Sequence, residues 1–229
     1  MRLSIIIPVY NEEKSIMQIL TKIKKSDIGN IEKEIILIDD FSSDGTRDLL
    51  KNLKGENIKV LFHDKNYGKG KAIRTGLKVA TGEFILIQDA DLEYDPNDYS
   101  KLLKPLTNGM ADVVYGSRIL NKKNKISSIY FFLGGRLLTF LTNIIYFTNI
   151  TDEPTCYKVF RKNVLDNIVL KCERFEFCPE VTAKIAKKGI TIFEVPISYH
   201  PRNKKEGKKI KLFDGIVAIW TLLKYRFID

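Results

Sequence analysis

The chain has 229 residues, which is enough for one domain with a sizeable core or for two small domains. Its composition, with 44% hydrophobic and 29% charged residues, 14 Gly and 7 Pro, excludes a disordered, collagen-like or low-complexity protein. The formal net charge of +10 indicates an anionic partner, such as nucleic acid, anionic lipid or a phosphorylated substrate.

The first half of the sequence alternates strand-like and helix-like segments. Apolar runs typical of strands buried on both faces are predicted at residues 3–9, 34–38, Ile58–Phe62, Phe84–Ile87 and 112–115. Helical spacing of apolar residues predicts helices at 14–25, 44–53 and 71–80. This alternation predicts an α/β fold with a doubly wound, mostly parallel sheet and helices on both faces. Ligands of such sheets bind at the carboxyl ends of the strands.

The second half contains one long apolar segment, residues 126–150, which either crosses a membrane or lies against the core or on a membrane surface. Arg136 near its middle costs at least ~2.5 kcal/mol in a bilayer, and Gly134 with Gly135 interrupts the apolar pattern. We therefore favour a helix that lies against the core or on a membrane surface over one that crosses the membrane. Further helices are predicted at 176–188 and Leu212–Phe227, and a strand at 191–196. No linker stands out, so we expect a single domain over residues 1–229.

Two features of the sequence favour a cytoplasmic location. The three cysteines, Cys156, Cys172 and Cys178, show no zinc-ribbon spacing and are an odd number for a disulfide scaffold. The N-terminal apolar run is broken by Pro8, is too short for a secretory signal and lacks a small-residue cleavage site. We therefore expect a protein of the reducing cytosol.

Three carboxylates, Asp89, Asp91 and Glu93, follow the predicted strand Phe84–Ile87. Like charges gathered at the end of a buried strand raise each other's pKa, and a divalent cation relieves that repulsion. Oxygen ligands at this spacing suit Mg²⁺ or Mn²⁺, which complete their shell with water and substrate phosphates. The alternative interpretation is a solvated acidic turn.

Polar residues also follow the neighbouring predicted strands. Asp40 could hydrogen bond a ribose or a base, and Glu12 could either orient a ligand or favour the positive N-terminus of the next helix. Residues 66–71, which include Lys69 and Gly70, are typical of an anion site at a helix N-terminus, although they match neither a Walker A motif nor a dinucleotide fingerprint. Their alternative interpretation is a flexible turn.

Three arginines are candidates for a phosphate clamp. Arg118 ends the fifth predicted strand, and Arg136 and Arg202 could join it in bidentate contacts with phosphate. Arg202 also begins a basic stretch, residues 202–211, which includes Lys208. The alternative interpretation of this basic stretch is a solvated loop.

Taken in chain order, these segments resemble family 2 glycosyltransferases. The resemblance begins with residues 6–13 (IIPVYNEE), 39–46 (DDFSSDGT), 66–70 (NYGKG) and 89–93 (DADLE). It narrows to the polyprenyl (dolichyl) phosphate hexosyltransferase branch, similar to dolichyl-phosphate mannose and glucose synthases, at 116–118 (GSR), 136–139 (RLLT), 152–158 (DEPTCYK), 175–180 (FEFCPE), 194–197 (EVPI) and 199–211.

The resemblance implies a GT-A fold and an inverting, metal-dependent transfer of one hexose. The donor would be UDP-glucose or GDP-mannose, the acceptor a polyprenyl or dolichyl phosphate, and the metal Mg²⁺ or Mn²⁺. Residues 1–118 would bind the nucleotide sugar and residues 119–229 the acceptor. Relatives often carry further membrane helices after the catalytic domain. The sequence up to Asp229 shows no such helices after that domain, so we expect peripheral attachment to the cytoplasmic face of the membrane.

The resemblance also implies roles for individual residues. The expected catalytic residues are Asp89, Asp91 and Arg118. The expected metal ligands are Asp91 and Glu93, although relatives often carry Gln where Glu93 stands. The expected substrate-binding residues are Pro8, Tyr10, Glu12 and Asp40 at the nucleoside, and Lys69, Gly70, Arg136, Arg202 and Lys208 at phosphates.

The chemistry of such a transfer agrees with the residue types. The departing nucleoside diphosphate needs cations to stabilise its developing charge. A phosphate monoester has a second pKa of about 6 and is already an anion at neutral pH, so a strong general base is unnecessary. We accordingly interpret His63 and His200, which form no triad or metal pair in the sequence pattern, as structural. The basic surplus would also draw the protein to an anionic membrane.

Two alternatives remain open at the level of sequence. One is a family 2 enzyme with a soluble or polysaccharide acceptor. The other is a non-catalytic basic module that binds a membrane or nucleic acid. Residues 204–211 contain no aromatic side chain to stack on bases, so no nucleic-acid partner is expected.

Overall fold

The computed structural model of the protein describes residues 1–126, 128–202 and 212–228. In chain order its elements are β1 (Arg2–Val9), α1 (Ile16–Lys25), β2 (Glu32–Asp39), α2 (Thr46–Lys51), β3 (Ile58–Phe62), α3 (Lys69–Leu77), β4 (Phe84–Ile87), α4 (Tyr99–Thr107), β5 (Val113–Ser117), α5 (Ile129–Tyr146), β6 (Lys158–Arg161), α6 (Lys162–Asp166), α7 (Phe177–Lys187), β7 (Ile192–Pro196) and α8 (Leu212–Phe227). A short 3₁₀ helix, Pro96–Asp98, precedes α4.

The described residues form one seven-stranded sheet in the order β3-β2-β1-β4-β6-β5-β7. Strands β3, β2, β1 and β4 are parallel to one another, and β5 pairs with β7 in parallel. Strand β6 is antiparallel to both β4 and β5. The prediction of a mostly parallel α/β sheet is therefore confirmed, with β6 as an antiparallel insertion that the sequence pattern did not predict.

The centre of the sheet is buried because its strands are apolar on both faces. In β1, Leu3, Ile5, Ile6, Ile7 and Val9 are all fully buried. Strand β4 is likewise buried along its whole length. Fully burying one such side chain contributes about 1.5–3 kcal/mol, so these two strands anchor the core and hold their carboxyl ends in a fixed position.

Helices α5, α7 and α8 pack beside the sheet in a second, smaller apolar cluster. The cluster contains Leu138 and Tyr146 of α5, Ala183 of α7, and Leu222 and Tyr225 of α8 among its buried members. Helix α5 is shorter than the predicted segment 126–150, because the chain leaves the helix at Phe147 with a left-handed backbone (φ 55°). By length and composition alone, α5 could cross a membrane, and 22% of it is buried in the structure.

Candidate active site

The carboxyl ends of β1, β2 and β4 meet at one edge of the sheet, because the three strands are neighbours and parallel. Tight turns follow two of them, with left-handed backbone at Asn11 (φ 49°) and Phe41 (φ 63°). Non-glycine residues in this conformation are strained and cluster at functional sites. Glu12 follows the first of these turns and Asp40 precedes the second, so both lie at the same edge of the sheet as the end of β4.

Asp89 and Lys69, which lie 20 positions apart in the sequence, form an ion pair between Asp89 Oδ1 and Lys69 Nζ. Lys69 Nζ also lies 3.2 Å from Cys156 Sγ. Burial alone would raise the pKa of the Asp89 carboxyl, but the charge of Lys69 outweighs it and lowers that pKa below its usual value. Asp89 is therefore a carboxylate whose charge is matched by a lysine from the first turn of α3.

Asp91 is buried, with 6% of its surface exposed. Its Oδ2 atom accepts a hydrogen bond from Arg202 Nη2 at 2.5 Å, and its Oδ1 atom accepts one from the backbone N–H of Glu93 at 3.0 Å. Burial raises the pKa of Asp91 to about 7, and the charges of Asp89 and Glu93 act in the same direction, against that of Arg202. This corner of the site therefore favours a positive charge.

Arg202 brings that positive charge to the corner. Its Nη1 atom lies 3.1 Å from Oε1 and 3.2 Å from Oε2 of Glu12, so the guanidinium bridges the segments that follow β1 and β4. Its backbone N–H donates to Glu93 Oε1 at 2.6 Å. Tyr199 adds a hydrogen bond from its hydroxyl to Glu93 Oε2 at 3.0 Å. Residues 199–202 are thus tied to the acidic segment by side chains and backbone together.

Asp40 organises the loop that precedes α3. Its carboxylate accepts hydrogen bonds from the backbone N–H groups of Tyr67 at 2.9 Å and Gly68 at 2.7 Å, and it contacts His63 Nδ1 at 2.7 Å. Gly68 has a φ of 94°, and a Cβ atom there would lie 2.5 Å from the carbonyl oxygen of Glu173. Both observations explain why glycine occupies this position. His63 is held between Asp40 and Thr75, as a structural residue would be.

Gly70, predicted to bind substrate, packs against the backbone of residues 172–174. Its N–H donates to the carbonyl oxygen of Arg174 at 2.9 Å, and an added Cβ would lie 2.9 Å from that same oxygen. The structure therefore gives Gly70 a packing role. A contact between Gly70 and a phosphate stays a prediction.

Arg118 at the end of β5 is held by Asp152. Its Nε and Nη2 atoms donate to the two carboxylate oxygens at 2.8 and 2.7 Å, and its backbone N–H donates to Oδ2 at 2.8 Å. Asp152 takes two of the five N–H donors of the guanidinium, and the side chain is 23% exposed. The guanidinium also lies over the ring of Tyr199, 5.1 Å from its centroid. Arg118 is thus a rigidly placed cation that can still meet an anion.

Arg136 lies nearby on α5. Its Nη1 atom donates to the carbonyl oxygen of Thr151 at 3.2 Å, one residue before Asp152. Thr151 and Asp152 are fixed in turn by their N–H groups, which donate to the Glu194 carboxylate at 2.7 and 3.1 Å. The structure therefore brings Arg118 and Arg136 to the same segment, while Arg202 lies with the carboxylates.

The predicted metal ligands Asp91 and Glu93 both contact Arg202. Within the part of the chain that the structure describes, no three His, Cys, Asp or Glu side chains are grouped as a metal site. Mg²⁺ typically takes only one or two protein carboxylates and completes its shell with water and substrate phosphates. The donor chemistry of Asp91 and Glu93 fits such a two-carboxylate site, at a place where the structure already holds the guanidinium of Arg202.

The predicted residues that remain are Pro8, Tyr10 and Lys208. Pro8 lies half-buried near the end of β1, and Tyr10 follows it with 37% of its surface exposed, next to Asn11 and Glu12. Lys208 lies outside the described residues. Asp152, the partner of Arg118, was not singled out by sequence reasoning, although it belongs to the segment 152–158 that carries the family resemblance.

Comparisons with known proteins show the family to which the chain belongs. Residues 4–169 match the family described as glycosyl transferase family 2. A UDP-N-acetylglucosamine–dolichyl-phosphate N-acetylglucosaminyltransferase of Methanococcus voltae is 32% identical over 84% of this chain and 83% of its own length. A dolichol-phosphate mannosyltransferase of Pyrococcus furiosus is 28% identical over 98% of this chain and 64% of its own length. An undecaprenyl-phosphate 4-deoxy-4-formamido-L-arabinose transferase of Proteus mirabilis is 28% identical over 97% of this chain and 68% of its own length.

Among solved structures, glucosyl-3-phosphoglycerate synthase from Mycobacterium tuberculosis has a similar fold. Its complex with Mg²⁺ and uridine diphosphate superposes with a TM-score of 0.75 at 17% identity, over 100% of this chain and 80% of that one. Its complex with Mn²⁺, uridine diphosphate and glucosyl-3-phosphoglycerate gives a TM-score of 0.73. At this identity the likeness shows the fold, which is of the GT-A type.

Proposed function

This chain belongs to glycosyl transferase family 2, and we propose that it transfers a hexose from a nucleotide diphosphate sugar to a polyprenyl phosphate, with inversion at the anomeric carbon. The three relatives described above are named for sugar transferases that use a dolichyl, dolichol or undecaprenyl phosphate. The identity of the sugar and of the donor base is left to experiment, since those relatives differ in it. We place the enzyme at the cytoplasmic face of a membrane as part of the same proposal.

The observation that carries this proposal is the division of the site into two charged parts. Carboxylates and their paired cations, Asp89 with Lys69 and Asp91 with Arg202, occupy the ends of the parallel strands. Arg118 and Arg136 form a separate group, which contacts Asp152 and Thr151. A donor with a diphosphate and an acceptor with a monophosphate need two such anion-binding regions, one for each substrate.

The residues of the chain suffice to bind and orient both substrates. Lys69 at the start of α3, with Arg202, would face the diphosphate of the donor, and Asp89 would orient the sugar. Arg118, fixed by Asp152, would hold the acceptor phosphate in line with the anomeric carbon, which converts an encounter of two anions into a positioned reaction. A bound Mg²⁺ or Mn²⁺, held by Asp91 and Glu93, would neutralise charge on the departing diphosphate.

No general base is required in this scheme. The acceptor phosphate is largely dianionic at neutral pH, so one of its oxygens can attack without losing a proton to the protein. His63 is held between Asp40 and Thr75 at the edge of the glycine loop. The chemistry therefore depends on the placement of charges more than on proton transfer.

The test is a panel of UDP-glucose, UDP-N-acetylglucosamine and GDP-mannose with purified protein, Mn²⁺ or Mg²⁺, and a short-chain polyprenyl phosphate. We expect one donor to give a radiolabelled product that partitions into organic solvent. Arg118→Gln should lower kcat/KM about 100-fold or more, because it removes a charge that contacts the acceptor phosphate. Lys78→Gln, at an exposed residue directly after the C-terminal end of α3, is the matched control and should leave the rate unchanged. Faster transfer to water-soluble acceptors than to lipid phosphates would contradict the proposal.

A further inference from the structure

Two glutamates beside the candidate site have no part in the chemistry described so far. Glu176 directly precedes α7, and Glu180 lies in the first turn of that helix. They stand four positions apart and share one face of the helix, where two like charges destabilise it unless other groups compensate. Glu180 is also fully buried. A buried carboxylate needs hydrogen-bond partners, and the partners of both glutamates show what the two side chains hold.

The two carboxylates bind four consecutive backbone N–H groups, which belong to Lys171, Cys172, Glu173 and Arg174. Glu180 accepts the first two hydrogen bonds, at 2.7 and 2.6 Å. Glu176 accepts the last two, at 2.7 and 3.1 Å. Hydrogen bonds to an ionised group are roughly twice as strong as those between neutral groups. These four residues, which we call the 171–174 segment, are therefore held to α7 along their whole N–H side.

The carbonyl oxygens of the 171–174 segment all accept hydrogen bonds from α3. Arg74 Nη1 donates to the first two oxygens, at 3.2 and 3.3 Å. The N–H of Lys71 donates to the Glu173 oxygen at 3.0 Å, and the N–H of Gly70 donates to the Arg174 oxygen at 2.9 Å. Because the first N–H groups of a helix have no partner inside it, the segment caps the N-terminus of α3. It thereby connects α7 to α3.

The 171–174 segment and the start of α3 are packed too closely to move independently. A Cβ atom on Gly68 would lie 2.5 Å from the Glu173 carbonyl oxygen, and one on Gly70 would lie 3.0 Å from Cys172 Sγ. Close packing transmits a displacement of one element to its neighbour. A shift of the 171–174 segment would therefore move the first turn of α3.

Lys69 is the residue of that first turn that reaches the carboxylates of the site. It stands between Gly68 and Gly70, which both pack against the 171–174 segment. Its ammonium group pairs with Asp89 and lies 3.2 Å from Cys156 Sγ. The position of this charge therefore depends on the backbone that the two glutamates hold.

The contacts of Glu180 favour a structural carboxylate over a group that exchanges protons with a substrate. Its Oε1 atom pairs with Lys184 Nζ at 2.6 Å in addition to the N–H of Lys171. Burial acts to raise the pKa of Glu180, but the hydrogen bonds from Lys184 and Lys171 outweigh it and lower that pKa below its ordinary value. Glu180 is thus an ionised acceptor whose two oxygens are both engaged by the protein.

We propose that Glu176 and Glu180 are positioning residues, which set the place of Lys69 through the 171–174 segment. Both act on the reaction through Lys69 and without touching a substrate. Only the identity of the anion that Lys69 meets, the diphosphate of the donor, rests on the proposed function.

The first test is amide hydrogen exchange of the full chain without substrate, followed by NMR. In Glu176→Ala, the N–H groups of Gly70 and Lys71 should exchange about tenfold or more faster than in the wild type, because their acceptors lose their fixed position. Glu176→Gln keeps one oxygen for the segment and should show a smaller increase. Glu176 is the better site for substitution, because removal of Glu180 would leave Lys184 without its counter-charge.

The second test separates positioning from a general loss of stability. Glu176→Ala should lower kcat/KM for the sugar nucleotide about 10- to 100-fold, as a misplacement of about 1 Å does. The KM for polyprenyl phosphate should stay within about twofold. In a Lys69→Met background the same substitution should cost less than about threefold, since the residue through which it acts is gone.

Two control variants complete the design. Glu56→Ala removes an exposed carboxylate in the turn before β3, and Ile23→Val shortens a fully buried side chain of α1. Both should leave kcat/KM and the exchange of the Gly70 and Lys71 amides within about twofold of the wild type. Unchanged exchange in Glu176→Ala, or equal kinetic losses with and without Lys69, would overturn the proposal. If the wild-type chain transferred no sugar, the proposed function would fail and the exchange measurement alone would decide on the positioning role.

Discussion

At the residue scale, the position of Arg202 has a direct consequence for cation binding. Its guanidinium contacts Glu12 and Asp91, and its backbone N–H contacts Glu93, so it holds the carboxylates that a divalent cation would need. We therefore predict that Arg202→Met tightens Mn²⁺ binding at pH 7.5 about threefold to tenfold while it lowers the rate of transfer. Isothermal titration calorimetry measures the affinity without any turnover.

The control for this prediction is Arg136→Met, which removes the same charge at a site that contacts the Thr151 carbonyl instead of a carboxylate. It should leave the Mn²⁺ affinity within about twofold of the wild-type value, because the Arg136 side chain is exposed and solvent screens its charge. Equal Mn²⁺ affinities for Arg202→Met and the wild-type protein would show that the guanidinium and the cation do not compete.

Sequence reasoning located individual residues better than it located their partners. The rule that ligands bind at the carboxyl ends of parallel strands correctly placed Glu12, Asp40 and Asp89 at one edge of the sheet. The contact between Arg202 and Asp91 joins residues 111 positions apart. No local pattern encodes such a pairing, because it depends on how the last third of the chain folds back over the sheet. Asp152 was not singled out for the same reason, because its contact with Arg118 is visible only in the folded structure.

At the scale of elements, α5, β6 and α7 enclose an acid that the active site does not use. Glu153 is fully buried, its Oε2 atom has no hydrogen-bond partner among the described residues, and its Oε1 atom accepts a 3.4 Å hydrogen bond from Thr182. Burial raises the pKa of Glu153 to about 7 from its ordinary value of 4.5, although the charge of Lys158 opposes this. The folded protein therefore holds a proton at this site that the unfolded chain releases above pH 4.5.

The difference between the folded and unfolded pKa values of Glu153 makes the stability of the folded protein depend on pH. Because the pKa is raised on folding, the carboxyl favours the folded state most below pH 4.5, and this contribution is lost as the pH rises through about 7. We predict that Glu153→Gln, which resembles the protonated acid, is more stable than the wild type by roughly 3 kcal/mol at pH 8 and equal to it near pH 4. Urea unfolding at the two pH values measures this. A stability difference that does not change with pH would contradict the prediction.

Elements with continuous apolar runs were predictable, and those with charged or broken patterns were not. Strands β1 to β4 were predicted from their aliphatic residues. Strand β6 (KVFR) was missed because charged residues stand at both ends of it, although the fold buries Lys158, whose Nζ lies 3.6 Å from the centroid of the Tyr115 ring and donates to the Glu153 carbonyl oxygen. Helix α4 was missed because Pro105 inside it reads as a helix breaker. Tertiary contacts overrode local pattern in both cases.

At the scale of the whole molecule, β6 joins the two halves of the chain. It pairs with β4, which belongs to the first half, and with β5, which pairs in turn with β7 near the C-terminus. The carboxylates that follow β4 and the arginine that follows β5, Arg118, thus stand at the ends of strands of one continuous sheet. The relative positions of the two charged regions depend on this pairing and not on a hinge between two domains.

A continuous sheet predicts that both halves unfold together. Differential scanning calorimetry should show one transition, with a calorimetric enthalpy equal to the van't Hoff enthalpy. Ile36→Ala in β2 and Val114→Ala in β5, which both truncate fully buried side chains, should each move that same transition down by several degrees, because each leaves a cavity that costs about 2–4 kcal/mol. If the two substitutions instead shifted different transitions, the halves would be independent units, and the pairing through β6 would not hold the donor and acceptor sites in a fixed relation.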